Sequence, residues 1–117
     1  MLKSSKTISE LFSKIPAENM LSRDFLLLRF SVNSTAETPF KFTAVVGKRS
    51  FKSAVDRNSL KRRIKESVRL NQSVLNSAKG VEFLLIYRSR KKHTFFEIDK
   101  AIKSLLKTLA ERLESNL

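Results

Sequence analysis

The chain has 117 residues and a formal net charge of +13, from 24 Lys and Arg against 11 Asp and Glu. Hydrophobic residues make up 41% of it, enough for one core but not two, so we expect a single domain over residues 1–117. The absence of cysteine excludes disulfides, thiolate metal sites and a Cys nucleophile.

No apolar run reaches 18 residues, so no membrane span is predicted. The N-terminus lacks the pattern of a secretion signal, and we expect a cytoplasmic protein. A small domain with this much positive charge attracts polyanions. The composition favours nucleic acid over an anionic membrane as the partner.

The first part of the chain predicts a short helix followed by strands. Thr7 and Glu10 have the spacing of a capping box, and apolar residues follow at helical spacing until a proline. Residues 23–32 are too apolar on both alternating positions for a surface hairpin and too short for a helix, so one strand is predicted. Turn-forming residues at 33–39 and a β-rich run at 40–46 then predict a hairpin with that strand.

The second part predicts a helix, a strand and a last helix. From about Asp56 apolar residues recur at a period of 3.6, in a long helix that should end before Gly80. Residues 81–87 have almost no polar interruption, which is typical of a central strand. Thr94 and Glu97 repeat the capping-box spacing before an amphipathic helix. The predicted fold class is α+β, a two-layer sandwich of three helices and a mixed sheet of about four strands, in the order α-β-β-β-α-β-α.

Basic charge is concentrated between Lys41 and Arg69, a segment with ten Lys or Arg and only two acids. At about 100° per residue, polar and basic side chains share an arc of about 100° beside the apolar stripe of the helix: Asn58, Lys61, Arg62, Lys65 and Arg69. These residue types donate well to phosphate oxygens. The alternative is a solvated helix face, but such faces usually interleave Glu with Lys, and only Glu66 is available.

Other features leave alternatives open or exclude chemistry. The Phe residues suit either core packing or base stacking, and Arg88–His93 is either a further phosphate contact or a plain basic loop. His93, the only histidine, has no obvious carboxylate partner in sequence, and the acids form no metal-binding motif. We therefore predict no catalytic residue, no protein-borne metal site and no small-molecule substrate.

The segment from Val46 to Arg69, VGKRSFKSAVDRNSLKRRIKESVR, resembles the protein subunit of bacterial ribonuclease P. That family has a basic pair, an Arg-Asn-Arg motif and further basic positions here, and the order of elements agrees over nearly the whole chain. The resemblance implies a left-handed β-α-β crossover. Ser59 stands where the motif usually has its second Arg. The RNA-binding residues implied by the resemblance are Lys48, Arg49, Lys52, Arg57, Asn58, Lys61, Arg62, Lys65 and Arg69.

The resemblance further implies a ribonucleoprotein endonuclease that removes the 5′ leader of precursor tRNA. In the family the catalytic RNA performs the chemistry, with Mg²⁺ bound mainly by the RNA and the substrate, while the protein broadens substrate use and lowers the Mg²⁺ demand. The expected partners are that RNA and precursor tRNA. The single-stranded leader is expected in a cleft between the first helix and the sheet, at Phe12, Leu26, Leu28 and Phe30. The alternative is a structural RNA-binding protein of ribosomal type, with no role in cleavage.

Overall fold

The computed structural model describes residues 19–32, 39–76 and 79–115. In chain order the elements are β1 (Met20–Arg23), β2 (Leu26–Val32), β3 (Lys41–Val46), α1 (Ala54–Leu70), a short 3-10 helix (Gln72–Leu75), β4 (Val81–Tyr87) and α2 (Phe95–Ser115). The predicted α+β class with a four-stranded mixed sheet is confirmed. The predicted first helix, with Thr7 and Glu10, lies outside the described residues.

The four strands form one sheet in the order β1-β2-β4-β3. β4 pairs antiparallel with β2 and parallel with β3, so its predicted central position is confirmed. The predicted hairpin of β2 with β3 is wrong, because β4 lies between them. A continuously apolar run such as that of β4 is typical of a strand in the middle of a sheet rather than at its edge. β3 reaches β4 through a parallel crossover that contains α1, whose handedness stays a prediction.

The apolar stretch 23–32 contains a tight turn instead of forming one strand. Arg23 pairs with Leu26, which leaves Asp24 and Phe25 as a two-residue turn between β1 and β2. Asp24 has a φ of 52°, a left-handed conformation that Asp adopts more readily than most residues. The polar pair Arg23-Asp24 was the sequence signal for this turn. The apolar residues that follow the pair made the turn difficult to recognise.

One face of the sheet packs against both helices. Leu28 and Phe30 of β2 share this face with Phe83 and Leu85 of β4, and all four are at most 2% exposed. The helices complete the same core, mainly with Leu60, Ile64 and Val68 from α1 and Ile98, Ile102, Leu105, Leu106 and Leu109 from α2. This is the predicted two-layer arrangement. The opposite face of the sheet carries the intervening side chains, among them Leu27, Arg29, Val45 and Ile86.

Hydrogen bonds mark the start of both described helices. Ser53 Oγ accepts from the amide of Asp56 at 3.4 Å at the start of α1. The capping box predicted for α2 is confirmed, since the amide of Thr94 donates to Glu97 Oε1 at 3.0 Å and the amide of Glu97 donates to Thr94 Oγ1 at 3.2 Å. The backbone hydrogen bond from Thr94, followed by the side-chain hydrogen bond from His93, lowers the pKa of Glu97. Neither described helix is long and apolar enough to cross a membrane.

A polar cluster joins α1 to α2 beside the apolar core. Ser67 is fully buried, and its hydroxyl donates to Asp99 Oδ1 at 2.7 Å. Asn71 Nδ2 donates to the same oxygen at 3.0 Å, and Lys103 Nζ lies 3.1 Å from Asp99 Oδ2. Burial by itself would raise the pKa of Asp99, but the hydrogen bonds from these three donors outweigh it and lower the pKa below its ordinary value.

We expect Asp99→Asn to make the stability of the fold less sensitive to acid. The pKa of Asp99 is lower in the folded chain than in the unfolded one. The stabilisation that ionised Asp99 provides is therefore complete above its pKa in the unfolded chain, about 3.9, and is lost as the pH falls through its pKa in the folded chain. Urea unfolding near pH 7 and near pH 3 should therefore differ less in Asp99→Asn than in the wild type. Glu111→Gln, on the exposed side of α2, is the control. An Asp99→Asn variant with the full wild-type acid sensitivity would contradict this assignment.

Candidate nucleic-acid interface

Residues 47–53 form a tight basic loop between β3 and α1. The amides of Ser50 and Phe51 both donate to the carbonyl of Gly47 at 3.2 Å. Phe51 is 7% exposed, and its ring centroid lies 5.9 Å from that of Tyr87. This apolar anchor leaves the three basic side chains of the loop exposed at the surface: Lys48, Arg49 and Lys52.

Arg57, the first Arg of the motif, ties α1 to this loop. Its Nη1 donates to the carbonyl oxygen of Phe51 at 2.8 Å and to that of Lys52 at 2.9 Å. A planar guanidinium can hold two such acceptors while keeping other N–H groups for a further ligand. The structure thus adds a positioning role that the motif spacing did not indicate.

Arg57→Ala is expected to lower the free energy of unfolding by about 1–2 kcal/mol, because two carbonyl oxygens lose their donor. Arg57→Lys should retain the charge without restoring this contact, since an ammonium group has no planar fork. Urea denaturation measures the stability, and amide exchange at Ser50 and Phe51 should be faster in both variants. Exchange rates that stay at the wild-type value would show that Arg57 does not hold the loop.

The exposed side of α1 continues the charge of the loop. Its predicted binding residues lie at the surface, with Lys61 half-buried and the others exposed: Asn58, Arg62, Lys65 and Arg69. The apolar stripe beside them is buried in the core, at Leu60, Ile64 and Val68. We define the basic surface as the set formed by the loop and this side of α1: Lys48, Arg49, Lys52, Arg57, Asn58, Lys61, Arg62, Lys65 and Arg69.

Arg63 lies on the flank of α1 that faces residues 88–93. Its Nη1 donates to the carbonyl oxygen of His93 at 2.7 Å. On the same flank, Lys92 Nζ lies 3.0 Å from Asp56 Oδ1. Both contacts hold the loop before α2 against α1.

This loop, residues 88–93, is anchored through Tyr87. The hydroxyl of Tyr87 accepts from the amide of His93 at 2.9 Å and donates to the carbonyl of Lys91. Burial is the main cause that raises the pKa of Tyr87. The basic side chains of the loop at 88 and 90–92 are exposed, so the loop carries further positive charge beside the start of α1.

His93 has partners that were not predicted from the sequence. Its Nδ1 lies 3.4 Å from Glu97 Oε2, a carboxylate partner that was not obvious from the sequence. Its ring stacks on Phe25 with centroids 3.7 Å apart, and Ser89 Oγ lies 3.2 Å from its Nε2. The four-residue spacing to Glu97 was a usable signal, whereas the contact with Phe25 depends on the turn between β1 and β2.

Across the described ranges, no group of three or more acidic or histidine side chains is placed to hold a metal ion.

Three of the predicted leader-binding residues are part of the hydrophobic core. Leu26 and Leu28 are 0% exposed and Phe30 is 2% exposed, all on the helix-facing side of β2. This part of the prediction is wrong, because side chains under two helices cannot contact RNA. In a strand, a shift of one residue moves a side chain to the other face. Phe12 lies outside the described residues.

Similarity to known proteins covers nearly the whole chain. A family model for ribonuclease P matches residues 1–110. The chain belongs to the ribonuclease P protein family. The ribonuclease P complex is an endoribonuclease of tRNA processing, and membership gives this chain an RNA-binding role in that complex.

Solved structures of ribonuclease P proteins share the fold. The Staphylococcus aureus protein is 20% identical, with a TM-score of 0.70 and 89% of each chain covered. The Thermotoga maritima protein is 22% identical, with a TM-score of 0.71, over 89% of this chain and 92% of that chain. A S. aureus mutant described as defective in mRNA degradation activity is 19% identical, with a TM-score of 0.70, over 90% of this chain and 83% of that chain. None of the curated proteins compared matches the chain.

Proposed function

We propose that this chain is the protein subunit of ribonuclease P and binds the catalytic RNA through the basic surface. The observation that carries the proposal is the continuity of that surface, since loop 47–53 is fastened to α1 by Arg57 and displays its charges beside those of the helix. Lys, Arg and Asn donate to phosphate oxygens, and their binding releases counterions from RNA. The proposed partners are the catalytic RNA and precursor tRNA, in the cytoplasm.

The contribution of the protein in this proposal is electrostatic. The catalytic RNA and the substrate would hold the Mg²⁺ ions that supply activated water and stabilise the leaving oxygen. The Lys and Arg side chains of the basic surface neutralise phosphates that would otherwise repel one another, so less Mg²⁺ is needed for the RNA to fold and bind its substrate. The protein itself supplies no reacting group.

For the 5′ leader, we propose the face of the sheet opposite the helices. Leu27, Val45 and Ile86 of three neighbouring strands share this face and are half-buried. Unpaired bases bind to apolar and aromatic side chains flanked by positive charge. In β2 the proposed contact is thus Leu27 instead of its neighbours Leu26 and Leu28, which face the helices. Phe12 stays the proposed aromatic contact.

The test is cleavage of a precursor tRNA by a bacterial ribonuclease P RNA at low Mg²⁺, with and without the protein, followed as release of the 5′ leader. Strong stimulation is expected because the basic surface replaces part of the Mg²⁺ in screening phosphates. Tight binding to the RNA without stimulation would instead support the structural RNA-binding alternative.

A reaction with protein and a messenger RNA, but no catalytic RNA, tests for the activity named for the S. aureus protein.

A further inference from the structure

A groove lies between the edge strand β3 and the C-terminal half of α1. Its volume is about 320 Å³, and it is lined by Phe40, Phe42, Lys65, Val68, Arg69 and Gln72. This volume is at the lower end of the roughly 300–1,000 Å³ that is typical of sites for small ligands. The groove is on the helix-facing side of the sheet and is therefore separate from the face proposed for the leader.

The aromatic wall of the groove is the outer part of a stack of rings. The ring of Phe83, buried in β4, lies 5.5 Å from that of Phe42 with an interplanar angle of 16°, and 5.8 Å from that of Phe40 with an angle of 24°. Phe40 and Phe42 are half-buried and line the groove. Phe40 and Phe42 are tilted by 32° to each other with ring centroids 6.5 Å apart, so a further planar ring would stack on one of them and contact the edge of the other.

The opposite wall carries groups that bind anions and base edges. Lys65 and Arg69 are exposed cations of the basic surface, and Gln72 adds an amide with both donor and acceptor atoms. Glu66 accepts from Nε of Arg69 at 2.7 Å and also from Nη2, in an exposed contact between two side chains of α1. Nη1 of Arg69 makes no hydrogen bond to any described residue, so it is available to a phosphate oxygen.

We propose that this groove binds a single unpaired nucleotide of RNA, with its base against Phe40 and Phe42 and its phosphate at Lys65 and Arg69. The inference rests on the proposed function and deepens it, since it adds a base-stacking subsite to a surface otherwise suited to phosphates. The combination of aromatic rings, two cations and an amide matches the base, the phosphate and the base edge of one nucleotide. An extended peptide added to the edge of β3 would use main-chain hydrogen bonds and would have no need of the cations.

The experiment uses the complex of the full chain with a bacterial ribonuclease P RNA. Ultraviolet cross-linking followed by mass spectrometry should join an unpaired nucleotide to the peptide that contains Phe40 and Phe42. Removing that base from the RNA should weaken binding to the wild type by about 10-fold, and to the Phe40→Leu/Phe42→Leu variant far less. The matched control is Phe96→Leu, which changes an aromatic side chain that is 75% exposed on α2.

A second variant tests the groove independently, in case Phe40→Leu/Phe42→Leu does not fold. Gln72→Ala changes an exposed side chain of the 3-10 helix, and Ser73→Ala is its control in the same helix. Gln72→Ala should weaken binding by about 3- to 10-fold and should lose sensitivity to the identity of the base. If the wild type stimulates cleavage but shows no cross-link at residues 40–42 and no loss in either variant, the groove proposal is overturned and the proposed function stands. If the wild type neither binds the RNA nor stimulates cleavage, both are overturned.

Discussion

Arg62→Glu/Lys65→Glu is expected to weaken binding to the catalytic RNA by about 100-fold at roughly 0.15 M salt, with little change in stability. Both side chains are exposed on α1, so the substitutions leave the core intact. Each reversal removes a charge-assisted hydrogen bond to a phosphate and places a repelling carboxylate there. The slope of log affinity against log salt should fall by about 2, one for each phosphate that the protein no longer neutralises.

The matched control is Lys100→Glu/Lys107→Glu, which makes the same change of charge at two exposed positions of α2. If binding depends on the location of the charge, this control should retain most of the affinity. Filter binding over a range of salt concentrations, together with thermal melting of each variant, separates affinity from stability. An equal loss of affinity in both double variants would show that net charge alone, and not the basic surface, governs binding.

Leu28→Ala is expected to lower the free energy of unfolding by about 3 kcal/mol, the largest effect on stability that we predict. Leu28 is 0% exposed on β2, under both helices, and its removal leaves a cavity among Leu85 and the helix side chains. A small domain has only about 5–15 kcal/mol of stability in total, so this is a large fraction of it. Urea denaturation at neutral pH measures the change.

The neighbouring variant Leu27→Ala separates the two faces of the sheet. Leu27 is half-buried on the face opposite the helices, so its truncation should cost about 1 kcal/mol or less. Because Leu27 lies on the face proposed for the 5′ leader, Leu27→Ala should also weaken binding of precursor tRNA that carries a leader, while binding of mature tRNA stays unchanged. Equal losses for the two substrates would contradict the placement of the leader on this face.

The features predicted correctly are those set by neighbours in sequence. The capping box of Thr94 and Glu97 depends on a three-residue spacing. The stripe of Leu60, Ile64 and Val68 depends on the helical period, which also places the basic residues of α1 at the surface. The central position of β4 followed from its apolar run, which is typical of a central strand.

The errors concern contacts between distant parts of the chain. An uninterrupted apolar stretch hid the turn at Asp24 and gave no alternation from which to assign Leu27 and Leu28 to opposite faces. The pairing of β2 with β4 instead of β3 joins residues 49 to 61 positions apart in the sequence, and no local pattern specifies it. The stacking of His93 on Phe25 and the double contact of Arg57 depend in the same way on folded geometry.

By itself the sequence determined β4, the two described α-helices, the charge and surface position of the basic helix, and through its motif the family to which the chain belongs. These properties depend on spacing along the chain and on composition, which folding does not change. Only the tertiary structure decided which face of β2 is buried, which strand lies beside β4, and that Phe40 and Phe42 meet Lys65 and Arg69 in one groove. Those outcomes depend on how the sheet and helices share a core, where packing and burial select one arrangement among several that local preference allows.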